Sequence, residues 1–272
     1  MNNSQWSTLR LAKLDPQICV LTMCRPDLRN AINAEMAREL EACLLHLHDE
    51  RDLRVLVLTG EGSAFGAGAD LKERAVLTPA QTQNARAAVL ACIELIESLR
   101  APVIAMVNGP AIAGSFEIAL ACDIRVASDR AVFALPEVRN VGAFPGAGGP
   151  VRLPRLVGRG RANLMVLTGR SFSAQEAFTF GFVEAVVPHQ RLLDETLTIA
   201  RQIASNNPEG VSAAKQLILQ SNHLDLASGM ALSRALRDPM DGTPAAVEAV
   251  RAWPSAQRAS KHLPIYNFRS NP

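Results

Sequence analysis

The 272-residue sequence predicts a mixed α/β fold, with an alternating core over residues 1–206 and a helical region over 207–272. Three observations carry that expectation. Arg54 to Thr59 (R-V-L-V-L-T) is a continuous run of leucine and valine, the pattern of a strand covered on both faces. Strand-like and helix-like stretches alternate as far as Pro188. Beyond Pro188 every apolar pattern is helical, which places a boundary near Asn206-Asn207-Pro208.

Taken in order, Ile18 to Met23 (I-C-V-L-T-M) has strand character, broken by Arg25-Pro26-Asp27. Asn33 then caps a helix whose Leu40, Leu44 and Leu47 recur at helical spacing. The strand at Arg54–Thr59 ends in a glycine-rich loop, Gly60 to Gly68. From Pro79 to Leu99 a long helix is expected, with Val89, Cys92, Ile93 and Ile96 as its apolar stripe and Pro102 beyond its end. Asp123–Ala127 and Ala131–Ala134 read as short strands around a polar turn at Ser128-Asp129-Arg130. Gly142 to Pro150 reads as an irregular loop, followed by short helices near Val151–Val157 and Arg161–Leu167. Ser173-Ala-Gln-Glu176 is a capping-box pattern that opens a helix, and Gly181 can close it. Phe182–Val187 is the last strand. Helices over Leu192–Ile203, Pro208–Leu219, Leu224–Leu236 and Pro244–Ala252 complete the chain.

Between the long helix and the short strands lies Val103 to Glu117, V-I-A-M-V-N-G-P-A-I-A-G-S-F-E. It reads as a buried strand, a tight turn and a helix start, with Glu117 in the first helical turn. The unpaired N–H groups of a helix N-terminus favour negative charge. An oxyanion forming beside Gly114 would be stabilised there while Glu117 handled a proton.

Composition narrows the classes. With 48% hydrophobic and 20% charged residues the chain has ample apolar surface for a core. A net charge of +2 and an aromatic content of 4% give no general affinity for nucleic acid. Five scattered cysteines, mostly in apolar runs and without a C-x-x-C pair, point to buried thiols in a reducing compartment. The five histidines lack metal-ligand spacing, so no metal is expected. M-N-N-S-Q-W-S-T-L-R lacks a basic segment followed by an apolar one, and no apolar run spans a bilayer, so a cytoplasmic chain without a membrane partner is expected.

Two patterns mislead. Gly60, Gly62, Gly66 and Gly68 do not have the dinucleotide spacing, and no Gly-Lys-Ser/Thr follows for a phosphate loop. Ser212-Ala-Ala-Lys215 matches S-x-x-K without the partner motifs of acyl transfer. The distinctive chemistry is two glutamates beside glycine-rich turns.

Ala64–Glu73 (A-F-G-A-G-A-D-L-K-E), Asn108–Asp123 (N-G-P-A-I-A-G-S-F-E-I-A-L-A-C-D), P-E-V at 136–138, P-G-A-G-G at 145–149 and R-L-P-R-L-V-G at 152–158 resemble the enoyl-CoA hydratase/isomerase family, the crotonase superfamily. The resemblance runs from about Leu9 to Leu219. It implies a crotonase-like spiral of repeated strand-strand-helix turns, with a C-terminal helical region for trimer assembly. It implies an acyl-CoA thioester whose carbonyl lies between the backbone N–H groups of Ala69 and Gly114. Ala69, Asp70, Leu71 and Lys72 would line the coenzyme path together with Gly114. Glu117 and Glu137 match the glutamates that act on water and on the α-carbon. The implied reaction is reversible hydration of a trans-2-enoyl-CoA, with no cofactor beyond the coenzyme A of the substrate, by a homotrimer or a dimer of trimers. Double-bond isomerisation, hydratase-lyase or thioester hydrolysis on a bulkier acyl group, and a non-catalytic RNA-binding relative are the alternatives.

The chemistry of the residues agrees with that reading. Conjugate addition of water needs a base, an acid for the α-carbon and donors for the enolate-like oxygen. Two carboxylates around one water repel, which raises at least one pKa.

Several positions depart from the family pattern. Ala113 stands where many family members carry a run of glycines and cannot adopt positive φ cheaply, and Phe116 brings bulk near Glu117, so a reshaped acyl pocket is expected. The segment between Glu137 and Pro145 is one residue longer than the pattern, which bears on the aim of Glu137. Pro150-Val151 replaces Thr-Gln. Trp253-Pro254 is expected to interrupt the final helix, with Lys261, Tyr266 and Phe268 beyond it as the basic and aromatic finish.

Overall fold

The apolar run after Arg54 forms a strand, Val55–Gly60, in which every residue is buried. The computed structural model describes residues 6–259, and side chains as far as residue 252. The strands are β1 (Leu9–Asp15), β2 (Ile18–Met23), β3 (Val55–Gly60), β4 (Val103–Val107), β5 (Ala111–Ile112), β6 (Ile124–Ser128), β7 (Val132–Ala134), β8 (Phe172–Ser173) and β9 (Ala185–Val187). The helices are α1 (Ala34–Asp49), α2 (Leu71–Arg74), α3 (Pro79–Ser98), α4 (Gly114–Ala121), α5 (Glu137–Asn140), α6 (Gly149–Thr168), α7 (Ala174–Phe180), α8 (Leu192–Ala204), α9 (Pro208–Ser221), α10 (Leu226–Arg237) and α11 (Pro244–Ala259).

A six-stranded sheet has the order β1-β2-β3-β4-β6-β9, parallel throughout except for the antiparallel β1 edge. Alternate residues divide between its faces. Leu21, Met23, Leu56, Leu58, Val103 and Ala105 join the core formed with α1, α3 and α4. Ile18, Val20, Val55, Val57, Ile104 and Met106 pack with Leu192, Leu197 and Ala200 of α8. Burial on both faces explains why β2, β3 and β4 read as unbroken apolar runs. A second sheet, β5-β7-β8, stands beside the helix entry at Gly114.

Local signals hold at several ends. The Asn33 side chain accepts the Met36 N–H at 2.9 Å and starts α1. Ser173 and Glu176 form the reciprocal capping box of α7, and Gly181 closes that helix at φ 85°. All five cysteines are free thiols, and burial pushes those of Cys43 and Cys92 up to about 12. Among the described residues no helix is long and apolar enough to cross a membrane.

The structure also corrects the sequence reading. β1 is an added strand with only Leu9 fully buried, too exposed to write a clear pattern. The last strand starts at Ala185 rather than Phe182, because Phe182 and Val183 turn into the core first. The loop after Gly142 ends at Gly148, and Gly149 and Pro150 form the first turn of α6, where a proline's missing N–H costs no helical bond. The two helices expected there are one element kinked at Gly158, which has φ 77° and ψ 160°. The final helix continues through Trp253 and Pro254 to Ala259. Lys261, Tyr266 and Phe268 lie outside the described residues. The chain parts into two compact units between Pro208 and Glu209; the first carries both sheets, and the second carries α10 and α11 with most of α9.

Candidate active site

Two chain segments meet at the entry to α4. The segment Gly66–Asp70 runs beside β5 and Ile32, through bridges pairing Gly66 with Ala111 and Ile32 with Ala69. Gly66 N–H donates to Pro110 O at 3.0 Å, and Ile112 N–H donates to Gly66 O at 2.9 Å. This contact places Ala69 and Gly114 on the two adjoining segments. Among the described residues neither of their N–H groups has a hydrogen-bond partner. For Gly114 the reason is that the first N–H groups of a helix have no carbonyl behind them.

The approach is tight enough to strain the backbone. Gly68 takes φ 82°, and a Cβ built on it would lie 2.7 Å from Ala113 Cβ and 3.0 Å from Ile112 O. Ala113 takes φ 52° and ψ −130°, a conformation that favours glycine. Its N–H donates to Ala134 O at 2.9 Å and its carbonyl receives Glu117 N–H at 3.0 Å, so both neighbours hold it there. Such a residue costs about 1–3 kcal/mol. Ala113→Gly is therefore expected to stabilise the protein by about 1 kcal/mol, after the entropy that glycine adds to the unfolded chain. Thermal denaturation checks this, and a lower Tm for the variant contradicts the strain.

Glu117 lies in the first turn of α4 with 2% exposure. Its Oε1 accepts the N–H groups of Ala147 at 2.9 Å and Gly149 at 2.7 Å. A Cβ on Gly149 would lie 3.1 Å from that oxygen, so glycine suits the approach. Arg152 anchors the same loop: it forms a double ion pair with Glu97 at 2.6 Å and donates to Ala147 O at 3.1 Å. Burial raises the proton affinity of Glu117, while the two N–H groups and the Arg152 charge oppose the rise.

Glu137 opens α5, and its Oε2 is buried without a hydrogen-bond partner among the described residues. Burial, joined by the charge of Glu117, raises its pKa to about 7, with Arg74 opposing. Residues 139–144 are all exposed, whereas Pro145 and Ala147 are buried. The site thus combines two free N–H donors, a carboxylate fixed by N–H groups and a carboxyl that changes charge near neutrality. That set can stabilise an oxyanion and move protons beside it.

The other expected residues divide. Asp70 caps α2 by accepting from Lys72 N–H at 3.1 Å and Glu73 N–H at 3.3 Å, and it pairs with Arg25 at 3.0 Å. Leu71 and Lys72 are exposed beside it. Phe116 does not reshape the site. It is fully buried against Phe133 at 5.2 Å and Phe182 at 5.4 Å, because each helical residue turns about 100° from the one before. Sequence reasoning missed the Ala147 and Gly149 donors, Arg152 with Glu97, and Ser115, whose Oγ accepts the Gly68 N–H at 3.0 Å. The P-G-A-G-G and R-L-P-R motifs signalled the first two without revealing what they hold. Among the described residues no three His, Cys, Asp or Glu side chains group as a metal site.

Residues 14–241 match the family model described as enoyl-CoA hydratase/isomerase. The chain is 37% identical over 237 residues to the 2,3-dehydroadipyl-CoA hydratase of Escherichia coli (strain K12), covering 87% of this chain and 92% of that protein. It is 35% identical over 229 residues to an enoyl-CoA isomerase/hydratase of Mycosarcoma maydis, covering 81% and 83%. A crystal structure of enoyl-CoA hydratase from Bacillus anthracis superposes with a TM-score of 0.89 at 36% identity, covering 97% of this chain and 100% of that one.

Proposed function

Since this chain belongs to the enoyl-CoA hydratase/isomerase family and has its crotonase fold, we propose that it adds water reversibly to a trans-2-enoyl-CoA. The observation that carries the reading is the unequal pair of carboxyls: Glu117 held by two N–H groups, and Glu137 able to keep a proton near pH 7. The thioester carbonyl accepts the Ala69 and Gly114 N–H groups, which draws charge from the β-carbon. Glu117 takes a proton from water as its oxygen attacks that carbon, and Glu137 gives a proton to the α-carbon. Charge gathers on the thioester oxygen, where fixed donors act most strongly. Water is added without net oxidation, so the step needs no redox cofactor, and the two N–H donors with the two carboxyls supply the charge stabilisation and the proton transfers; coenzyme A enters as part of the substrate. Asp70 keeps α2 in place, while Leu71 and Lys72 offer an apolar and a cationic contact to the coenzyme. The helices α9 to α11 are assigned to a homotrimer or a dimer of trimers, with Ile218, Leu226 and Met230 as exposed apolar residues.

A specific observation favours an acyl group with a distal carboxylate. The Arg74 charge acts on Glu137, and Arg86 lays its stem along Gly146, its Cδ 2.8 Å from where a Cβ would stand. Neither arginine forms an ion pair among the described residues. The relative from Escherichia coli named for a dicarboxylic acyl-CoA supports the same chemistry.

One assay tests both readings. Purified protein is given crotonyl-CoA, a 3-enoyl-CoA and a trans-2-enoyl-CoA ending in a carboxylate, and the conjugated enoyl absorbance is followed. Loss of absorbance from the first and third supports hydration, with higher kcat/KM for the carboxylate. A gain from the 3-enoyl-CoA with neither loss would replace hydration by isomerisation. Equal kcat/KM for the two hydrated substrates removes the anionic preference.

A further inference from the structure

Ser115 follows Gly114, and Gly68 precedes Ala69, so the hydrogen bond from Gly68 N–H to Ser115 Oγ at 3.0 Å joins the residues flanking the two free donors. We propose that Ser115 is the positioning residue of this donor pair, holding the Ala69 N–H at a set separation from the Gly114 N–H. The proposal rests on the carbonyl-binding reading above and extends it to a side chain that touches no substrate atom.

The wider bonding singles out this contact. Ala67 N–H donates to Arg29 O, Ile32 N–H donates to Gly68 O at 2.8 Å, and Asp70 N–H donates to Ile32 O at 2.9 Å. Those bonds tie the segment to residues near the start of α1. Gly66 is tied to Pro110 and Ile112 of the turn and β5. Among the described residues, the Ser115 hydroxyl makes the one hydrogen bond from Ala67–Ala69 to α4. It is fully buried, so water does not compete for the Gly68 N–H.

Space is as restricted as bonding. A Cβ on Gly66 would lie 2.2 Å from Ser115 Oγ and 2.7 Å from its Cβ, so the segment meets this side chain backbone-first. Losing the hydroxyl leaves Gly68 held, among the described residues, only by the Ile32 N–H, with Asp70 bonded to Ile32 beyond it, so Ala69 is free to move away from Gly114. A carbonyl oxygen gains from both donors only while both stay within hydrogen-bond distance, and displacement by a fraction of an ångström weakens one of them.

The test uses full-length protein, Ser115→Ala and Ser115→Cys, the second replacing the hydroxyl with a slightly larger and weaker acceptor. Infrared difference spectra follow the carbonyl stretch of bound butyryl-CoA labelled with ¹³C at the thioester carbon. This saturated ligand cannot be hydrated. On the parent the band is expected to shift down from its position in water; in Ser115→Ala most of the shift is lost, and Ser115→Cys falls between. With crotonyl-CoA, kcat in Ser115→Ala falls about tenfold, KM stays within about twofold, and the pH midpoints do not move, since the carboxyls keep their surroundings. An unchanged carbonyl shift in either folded variant overturns the proposal, whatever happens to the rate. A parent band that does not shift overturns the donor pair itself. A shifted parent band without any hydration leaves positioning intact and overturns only the proposed reaction.

Discussion

Glu117→Gln is expected to fold as the parent does and to lose roughly 10²–10⁴-fold in kcat/KM for crotonyl-CoA. Folding should survive because a glutamine Oε1 can accept the same Ala147 and Gly149 N–H groups that the carboxylate accepts. Its amide cannot take a proton from water, so the loss belongs to chemistry rather than to loop placement. Steady-state kinetics beside a circular dichroism melt separate the two. Activity within threefold of the parent would assign the base to another group.

Glu137→Gln should lose activity on a similar scale and gain stability where the parent is weakest. The folded pKa of Glu137, about 7, lies above the 4.5 of an ordinary glutamate. Its protonated form is therefore favoured by folding. That contribution is complete below about pH 4.5 and is lost as pH rises through about 7. At pH 8 and above, holding this carboxylate in a half-buried place costs the parent stability, about 1–2 kcal/mol once solvent screening is allowed for, which a neutral amide does not incur. Denaturant melts across pH are expected to coincide near pH 4.5 and to diverge in favour of Glu137→Gln above pH 7. Coincident curves at pH 8.5 would falsify the raised pKa. The same proton shapes the kinetics of the parent. Hydration needs protonated Glu137, so its kcat/KM should fall as pH rises through about 7, whereas dehydration of a 3-hydroxyacyl-CoA should rise through the same pH.

These variants act on a site whose parts were unevenly legible. Glu117 and Glu137 stood out because each lies beside a glycine-rich turn and falls in a motif that resembles the family's. Their repulsion implied that at least one pKa is raised, but not which one or that burial is the main cause, since burial and the Arg152 and Arg74 charges come from distant parts of the chain. The donors to Glu117 were hidden for a simpler reason. Every residue except proline carries a backbone N–H, so letters cannot say which of them points at a carboxylate.

The fold shows the same division. β2 and β3 were readable because burial on both faces leaves its mark on every residue, and the Asn33 and Ser173 caps because they bond within three residues. β1 was missed as a half-exposed edge, and Phe116 was misplaced because sequence adjacency hides the turn of a helix that points it at Phe133 and Phe182.

Local and periodic physics, written in neighbouring residues, thus established the class of fold, most element ends, and the two glutamates with their glycine-rich loops. Long-range packing settled what those letters left open: the positive φ of Ala113, the grip of Ser115 on Gly68, and the proton held by Glu137. Each depends on backbone contacts, or on exclusion of water, between segments that meet only when the sheets and helices close around them.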